Sequence, residues 1–231
     1  MKTALVAGAS RGLGAAVAAH LAAAGWRVLG ASRTPSVAGT WIEADLATQA
    51  GLSRVGEAVE AAVGDGPLHA LLHMGGTWER EAYSPRYRFL DSDEDETRRV
   101  IAVNLVAPIE LARRLAPLLA RAEAPLVGLM GANMALEGRA RPEVANTASK
   151  AGLRGAAASL RATLRPLGIA TTLFTPANMA TDEVMEDIAR GDFAPQTPIP
   201  LSDLTAALDF ALGLSPATEI EEIVLGQRDP G

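Results

Sequence analysis

The amino-acid sequence predicts an α/β fold in which helices cover both faces of a doubly wound parallel sheet of about seven strands, all within a single domain. Three observations lead to this prediction. Short β-branched or apolar runs alternate with longer segments rich in alanine, leucine and arginine, which is the pattern of a parallel sheet packed between helices. A glycine-rich turn directly follows the first strand. No Gly/Ser-rich or Pro-rich linker divides the 231 residues, so we expect one domain over residues 1–231.

Each predicted strand is a short apolar run, and each predicted helix is a longer segment whose alanine and leucine content favours helix formation. In chain order the strands are 3–8 (TALVAG), 27–32 (RVLGAS), 41–44 (WIEA), 68–73 (LHALLH), 126–131 (LVGLMG), 169–174 (IATTLF) and 222–226 (EIVLG). The helices lie at 12–24, 51–63, 94–121, 146–165 and 202–213. Because Pro108 and Pro117 lie within 94–121, we expect a kink or a break in that helix.

Two long segments, 75–93 and 175–200, match neither pattern. In an open α/β sheet both would leave the carboxyl ends of strands, where such sheets bind ligands. We therefore predict that they form the pocket walls and a lid. Met179, Met185 and Phe193 in the second segment suggest a partly hydrophobic small-molecule substrate, although packing of a lid on the core explains them equally well.

The composition argues against several classes of function. The net charge of -6 and pI near 5.2 give no general attraction for a phosphate backbone, so we expect no nucleic-acid partner. The chain has no cysteine, and its three histidines match no zinc spacing, so we expect no metal. No apolar run approaches eighteen residues, and the amino terminus lacks a long apolar stretch. We therefore expect a soluble, cytoplasmic protein with no membrane contact.

The glycine-rich turn between the first strand and the first helix predicts a dinucleotide site in a Rossmann-type fold. The turn reads Gly8-Ala9-Ser10-Arg11-Gly12-Leu13-Gly14. Glycines there permit a sharp turn, a close approach of backbone N–H groups to a pyrophosphate, and tight packing of the helix on the strand. The alternative is a tight strand-to-helix turn with no ligand.

The end of the second strand favours NADP(H) over NAD(H) as the cofactor. Proteins that bind NAD usually have a carboxylate there for the ribose 2′-hydroxyl, but this chain has Ser32 and Arg33. A serine hydroxyl can donate to a 2′-phosphate, and an arginine can form a charge-assisted bond with it. Arg11 is a candidate for the other side of the phosphate. The alternative is that Arg33 is a solvated surface residue.

The spacing Gly-x-x-x-Gly-x-Gly resembles that of the short-chain dehydrogenase/reductase family, and the resemblance continues along the whole chain. The matching positions are Asp45-Leu46 after the third strand, Asn104 in IAVNLVAP, Lys150 in ASKAG, and Pro176 and Thr181 in TPANMATD. The resemblance implies that Asp45-Leu46 contact the adenine, that Asn104 and Lys150 are catalytic, and that segment 175–182 lies beside the nicotinamide. We include Gly75 among the cofactor-binding residues, although His73-Met74-Gly75-Gly76 replaces the family's Asn-Asn-Ala-Gly.

The resemblance fails at the two hydroxyl groups of the family's active site. Asn146 occupies the position of the tyrosine that exchanges a proton with the substrate, and Gly131-Ala132-Asn133 replaces the region of the serine. A carboxamide does not titrate at a useful pH, and loss of a positioned proton donor typically lowers a rate by about 10²- to 10⁴-fold. Asn133 and Asn146 can still donate hydrogen bonds to a carbonyl oxygen.

Lys150 is one of only two lysines in a chain with nineteen arginines. A lysine is a compact point charge on a flexible stem, and the resemblance implies that this one binds the nicotinamide ribose. An exposed helical lysine is the alternative. For Asn104 the alternative is a helix amide that bonds only to local backbone.

Three other titratable residues are candidates for the missing proton donor. Tyr83 and Tyr87, the only tyrosines, lie in segment 75–93. Either could reach inward, but we interpret both as aromatic anchors of the loop. His73 titrates near neutral pH, yet its place at a strand end predicts a packing role near the adenosine part of the cofactor.

The sequence supports three functions. The first is an NADP(H)-dependent oxidoreductase that acts on a carbonyl or an activated double bond with an altered proton donor. The second is an NADP(H)-binding sensor or partner subunit without turnover, and the third is a lyase or isomerase that uses the same pocket. The resemblance also implies a homodimer or homotetramer, paired through helices 94–121 and 146–165, where LRGAAASLRATL has small residues suited to close contact.

Overall fold

A computed structural model describes residues 1–228, and the last three residues of the predicted domain lie outside that range. Seven parallel strands form one sheet in the order β3-β2-β1-β4-β5-β6-β7. The prediction of a seven-stranded, doubly wound parallel sheet is confirmed. The strands are β1 (Thr3–Ala7), β2 (Arg27–Ser32), β3 (Thr40–Glu43), β4 (Ala70–His73), β5 (Leu126–Met130), β6 (Ala170–Pro176) and β7 (Glu222–Leu225).

Helices cover both faces of the sheet, because neighbouring strand residues point to opposite sides. Leu5 of β1 belongs to a core cluster with α2, α4 and α5, whereas Val6 belongs to a second cluster with α1 and α7. Within residues 1–228 no helix is long and apolar enough to cross a membrane. The helices are α1 (Gly12–Ala23), α2 (Gln49–Val63), α3 (Glu94–Ile101), α4 (Ala107–Leu119), α5 (Val144–Leu164), α6 (Asp182–Arg190) and α7 (Leu201–Leu212).

The helix predicted at 94–121 is divided by a wider, π-helical turn at Ala102–Val106. Pro108 has no N–H group to donate to the carbonyl of Asn104 four residues earlier, so a regular α-helical bond is missing at this point. Pro117 lies inside α4 without ending it. The predicted irregularity is thus a π turn before Pro108, and such turns are frequent at functional sites.

The segment 175–200 is more ordered than the sequence predicts. Strand β6 continues to Pro176, and α6 lies within the segment. The Thr181 hydroxyl accepts a hydrogen bond from the amide of Val184 and caps this helix, which ends at Gly191 in the left-handed conformation. A bridge between Met179 and Ile199 closes the base of the segment.

The glycine turn brings three backbone segments together at the reversal of strand order between β1 and β4. Gly8 has a φ of 89°, and a Cβ there would lie 2.3 Å from the Cα of Gly75. A Cβ on Gly14 would lie 2.0 Å from the Gly8 carbonyl oxygen. Only glycine fits at these positions, and the turn opens into the crevice at the carboxyl ends of the strands.

Candidate active site

A cleft of about 660 Å³ runs along the carboxyl ends of the strands. Its walls include residues that follow six of the seven strands, and both predicted loop segments contribute to it. Gly14 and Asn104 are the predicted site residues that do not line it. Those that do are Gly8, Ser10, Arg11, Gly12, Leu13, Ser32, Arg33, Asp45, Leu46, Gly75, Asn133, Asn146, Lys150, Pro176 and Thr181.

The backbone N–H groups at the amino terminus of α1 are available to bind an anion. Within residues 1–228 no side chain caps it, and its first turn contains no acidic residue. The first backbone N–H groups of a helix have no partner inside the helix, and the helix dipole favours negative charge there. Arg11, just before the helix, forms an ion pair of 3.4 Å with Glu183 of α6. The glycine turn therefore fits a pyrophosphate group.

The residues after β2 and β3 offer one unpaired cation. Arg33 is exposed and forms no ion pair with the residues that the structure describes. The Ser32 hydroxyl donates to the Thr34 carbonyl at 2.7 Å, so donation to a phosphate would require that bond to break.

The carboxylate of Asp45 accepts hydrogen bonds from both terminal nitrogens of Arg99, at 3.2 and 3.1 Å. Burial raises the pKa of the Asp45 carboxyl, but the bonds from Arg99 and from the Ala47 amide, with the charges of Arg99 and Arg33, bring the net pKa below its usual value. The carboxylate is thus ionised and held in place, and the predicted adenine contact of Asp45 stays a prediction.

Lys150 lies in the floor of the cleft on α5. The side chain is buried, and its ammonium group donates to the carbonyl of Met130 at 2.9 Å. No carboxylate within residues 1–228 pairs with it. Burial without a counter-charge lowers the pKa of Lys150 to about 8. The ammonium has three donors, so two remain for a ligand in the cleft.

Asn104 lies behind the cleft in the π turn and holds three elements together. Its Oδ1 accepts from the amide of Thr77 at 2.9 Å, and its Nδ2 donates to the Thr77 carbonyl at 2.7 Å. The same Nδ2 lies 3.2 Å from the Oδ1 of Asn146 and 3.0 Å from the hydroxyl of Ser149. Asn104 therefore fixes both the first loop and the start of α5, so its bonds are not merely local.

The side chain of Asn146 is oriented by this network. Because its Oδ1 faces Asn104, its Nδ2 points the other way and donates to the hydroxyl oxygen of Tyr83. Tyr83 lines the cleft, so this tyrosine reaches inward and is more than a surface anchor of the loop. The structure thus brings a phenol to the residue that replaces the family's tyrosine.

The ring of Tyr83 packs against two other aromatic rings. Its centroid lies 6.0 Å from that of Trp78, edge to face, and 5.5 Å from that of Phe193. The backbone of Tyr83 has a φ of 68°, which is uncommon for a residue other than glycine. The Tyr83 amide donates to Glu143 at 2.8 Å, and this bond helps to stabilise the strained conformation.

Two buried carboxylates beside Tyr83 were not predicted from the sequence. Glu79 accepts from the amides of Ala145 and Asn146 at the start of α5, and Glu143 accepts from Tyr83. Burial, followed by the charges of Glu143 and Glu79, raises the pKa of the Tyr83 phenol. Glu143 lies just before the predicted helix 146–165, and this position only weakly indicates that it belongs to the site. Glu79 lies in an irregular loop, and nothing in the sequence around it indicates that it belongs to the site.

The remaining candidates occupy different surroundings. Asn133 lines the cleft, and its carboxamide bonds to no other side chain or backbone group in the described range. The hydroxyl of Tyr87 is buried without a partner there and does not line the cleft. His73 packs in the core as predicted, but near Lys150. Burial, and then the Lys150 charge, lowers the pKa of His73 to about 3, so the ring is neutral.

The sheet order, the glycine turn and the cleft define a dinucleotide-binding α/β protein with a helix lysine in its floor. The chain belongs to the short-chain dehydrogenase family, which its residues 2–190 match. Members of this family are oxidoreductases that use a nicotinamide cofactor.

Similar proteins come from several organisms. Protein FixR of Bradyrhizobium diazoefficiens is 30% identical over 197 residues, which cover 80% of this chain and 70% of FixR. The crystal structure of the TT0495 protein from Thermus thermophilus is 27% identical, has a TM-score of 0.78 and matches 97% of each chain. A metagenomic short-chain oxidoreductase solved in complex with NADP is 23% identical, with a TM-score of 0.76 over 98% of this chain and 97% of its own.

Proposed function

We propose that this protein is an NADP(H)-dependent oxidoreductase that acts on a carbonyl or on an activated double bond. The proposal rests on one observation: a single cleft joins the glycine turn and Arg33 to Lys150 and the Asn146–Tyr83 pair. The amino terminus of α1, at one end of the cleft, suits the pyrophosphate of a dinucleotide. The buried ammonium group of Lys150, at the other end, suits the hydroxyls of the nicotinamide ribose.

Arg33 supports the choice of NADP(H). An exposed guanidinium without an ion-pair partner in the described range follows β2, where an NAD-binding protein usually has a carboxylate. A 2′-phosphate there would gain a charge-assisted hydrogen bond. The metagenomic relative binds NADP, but at 23% identity that likeness concerns the fold alone.

The residues around the far end of the cleft suit a carbonyl substrate. The bound nicotinamide would supply or accept hydride. Among the described residues Lys150 has one hydrogen-bond partner, which leaves two donors for the adjacent ribose hydroxyls, and the carboxamide of Asn133 has none, so it can donate to a substrate oxygen. Apolar side chains line the same region: Trp78, Met134, Val184 and Phe193. We propose a substrate that is partly hydrophobic.

A protein that binds NADP(H) without turnover is the second candidate. The observation that favours it is the carboxamide of Asn146, which cannot exchange a proton at the position of the family's tyrosine. Both candidates require cofactor binding, whereas only the first requires carbonyl reduction.

Fluorescence titration with NADPH and NADH tests the cofactor, and a panel of carbonyl compounds followed at the NADPH absorbance tests turnover. We expect Arg33→Ala to weaken NADPH binding about tenfold or more, since a lost charge-assisted bond costs about 1.5–3 kcal/mol. NADH affinity should change little because NADH has no 2′-phosphate.

Arg54→Ala is the matched control, because Arg54 is an exposed arginine outside the cleft. Equal losses for NADPH and NADH in Arg33→Ala would contradict the assignment of the 2′-phosphate. A parent protein that binds no NADPH at millimolar concentration would contradict both candidate functions. If the parent binds NADPH but reduces no carbonyl compound, the result contradicts the oxidoreductase and supports the binding protein without turnover.

A further inference from the structure

We propose that Tyr83 is the proton donor of this enzyme: the phenol that the family places on α5 is supplied here by the loop between β4 and α3. This inference rests on the oxidoreductase function proposed above and assigns its missing acid. The starting observation is that the Tyr83 hydroxyl meets Asn146, the residue that replaces the family's tyrosine, inside the cleft that also contains Lys150 and Asn133.

The polarity of the hydrogen bonds leaves the phenolic proton available. Asn104 donates to the Oδ1 of Asn146, and this bond directs the Nδ2 of Asn146 toward Tyr83. The Tyr83 oxygen therefore accepts a hydrogen bond. Within residues 1–228 the Tyr83 hydroxyl has no acceptor for its own hydrogen. A substrate oxygen in the cleft can be that acceptor.

Tyr83 is positioned as a functional side chain would be. The Trp78 and Phe193 rings confine its ring, and Glu143 holds its amide. A non-glycine residue with a φ of 68° costs about 1–3 kcal/mol, and such strain persists only where surrounding contacts enforce it. A tyrosine that only anchors a surface loop does not need a strained backbone, because an aromatic ring can pack on the surface while its own backbone has ordinary φ and ψ angles.

In reduction, a hydride would pass from NADPH to the carbonyl carbon: the C–H bond of the dihydronicotinamide breaks, NADP⁺ remains, a C–H bond forms at the carbonyl carbon, and the π pair of the C=O bond moves to oxygen. That oxygen takes the Tyr83 proton as the O–H bond of the phenol breaks, and water from the open cleft then returns a proton to the phenolate. An alkoxide is more basic than a phenolate, so the transfer is favourable even for a phenol whose pKa is raised.

The nearby carboxylates change the rate but not the direction of this step. Burial and the charges of Glu143 and Glu79 oppose formation of the phenolate, whereas the Arg141 charge and the hydrogen bond from Asn146 favour it. The phenol stays protonated across the physiological range of pH, so reduction should not lose its acid between pH 6 and pH 10. We expect the enzyme to be slow and better suited to reduction than to alcohol oxidation, which needs the phenolate.

The test compares Tyr83→Phe with Tyr87→Phe in the full chain, with NADPH and the best carbonyl of the panel. Tyr87 is the matched control, because it is the other tyrosine of the same loop and its hydroxyl lies outside the cleft. We expect Tyr83→Phe to lower kcat by about 10²- to 10⁴-fold. Its affinity for NADPH should stay within about twofold, since the phenylalanine ring keeps the same packing.

A solvent deuterium isotope effect separates chemistry from structure. In the parent and in Tyr87→Phe we expect kcat to be lower in D2O than in H2O, because the phenol transfers a proton. In Tyr83→Phe the size of this isotope effect should change, because water must replace the phenol as the proton donor. The double variant Tyr83→Phe/Asn146→Tyr returns a phenol to α5, and we expect it to regain at least about tenfold of the lost rate.

The outcomes distinguish this inference from the function on which it rests. If the parent reduces no carbonyl, the proposed function and the role of Tyr83 fail together. If the parent is active and Tyr83→Phe keeps its kcat, only the role of Tyr83 fails. Equal losses in Tyr83→Phe and Tyr87→Phe, with matching losses of thermal stability, would show a structural role and overturn the inference as well.

Discussion

At the scale of single residues, the buried amine of Lys150 has a measurable consequence for stability. The ammonium has one backbone acceptor and no carboxylate partner in the described range, so burial disfavours its charged form. A pKa lowered from 10.5 to about 8 means that folding opposes the charge by about 3 kcal/mol at neutral pH. A residue that destabilises the folded state in this way is expected at a functional site.

We therefore predict that Lys150→Met is more stable than the parent at pH 7, by about 1–3 kcal/mol in urea unfolding, although it binds NADPH more weakly. Above pH 8 the folded lysine is neutral while the unfolded one still binds a proton, so parent stability rises with pH and the difference vanishes above about pH 10.5. Lys2→Met, at the exposed lysine, is the control. A less stable Lys150→Met at pH 7 would contradict this account.

At the scale of elements, the π turn between α3 and α4 joins the first loop to α5. The side chain of Asn104 in this turn bonds to both backbone groups of Thr77 and to Asn146 and Ser149 of α5. The widened turn places a buried amide where three elements meet. The conformation of the loop and the orientation of Asn146 are thus parts of one hydrogen-bonded unit.

Asn104→Ala should destabilise the protein by about 2–4 kcal/mol, because it leaves the amide and carbonyl of Thr77 without their partner. Ser149→Ala removes the bond from Asn104 and the bond that the Ser149 hydroxyl donates to the Asn146 carbonyl, but it leaves Thr77 fully bonded and should cost about 1–2 kcal/mol. Hydrogen exchange is the second measurement, and Thr77 should exchange faster in Asn104→Ala than in Ser149→Ala. Equal exchange in the two variants would show that the loop is held by other contacts.

At the scale of the whole molecule, the sequence predicts the scaffold better than the cleft. Every predicted strand and helix exists, with ends shifted by a few residues, because apolar periodicity and the glycine turn are local signals. Helix α6 was missed because its short amphipathic sequence lies in a segment without a strand or helix pattern. The direction of Tyr83 depends on Glu143, sixty residues away, and no local pattern encodes that contact.

The predicted assembly also belongs to this scale and stays a proposal. Exposed small residues, including Gly155 and Ala158, lie along the outer face of α5, and the backbone of a second copy could approach them closely. We expect a dimer or tetramer by light scattering at micromolar concentration, and Ala158→Arg should shift it toward monomer. Ala61→Arg, on the exposed face of α2, should not. A monomeric parent would contradict the proposal.

The carboxylate of Glu79 limits how the loop between β4 and α3 can be exchanged between relatives. Glu79 belongs to the loop, yet it serves as the cap of α5 by accepting from the amides of Ala145 and Asn146. A chimaera that imports a foreign loop in this place would uncap the helix that carries Lys150. Loop and helix are therefore not separate modules. A grafted loop must itself contain a hydrogen-bond acceptor for the amides of Ala145 and Asn146.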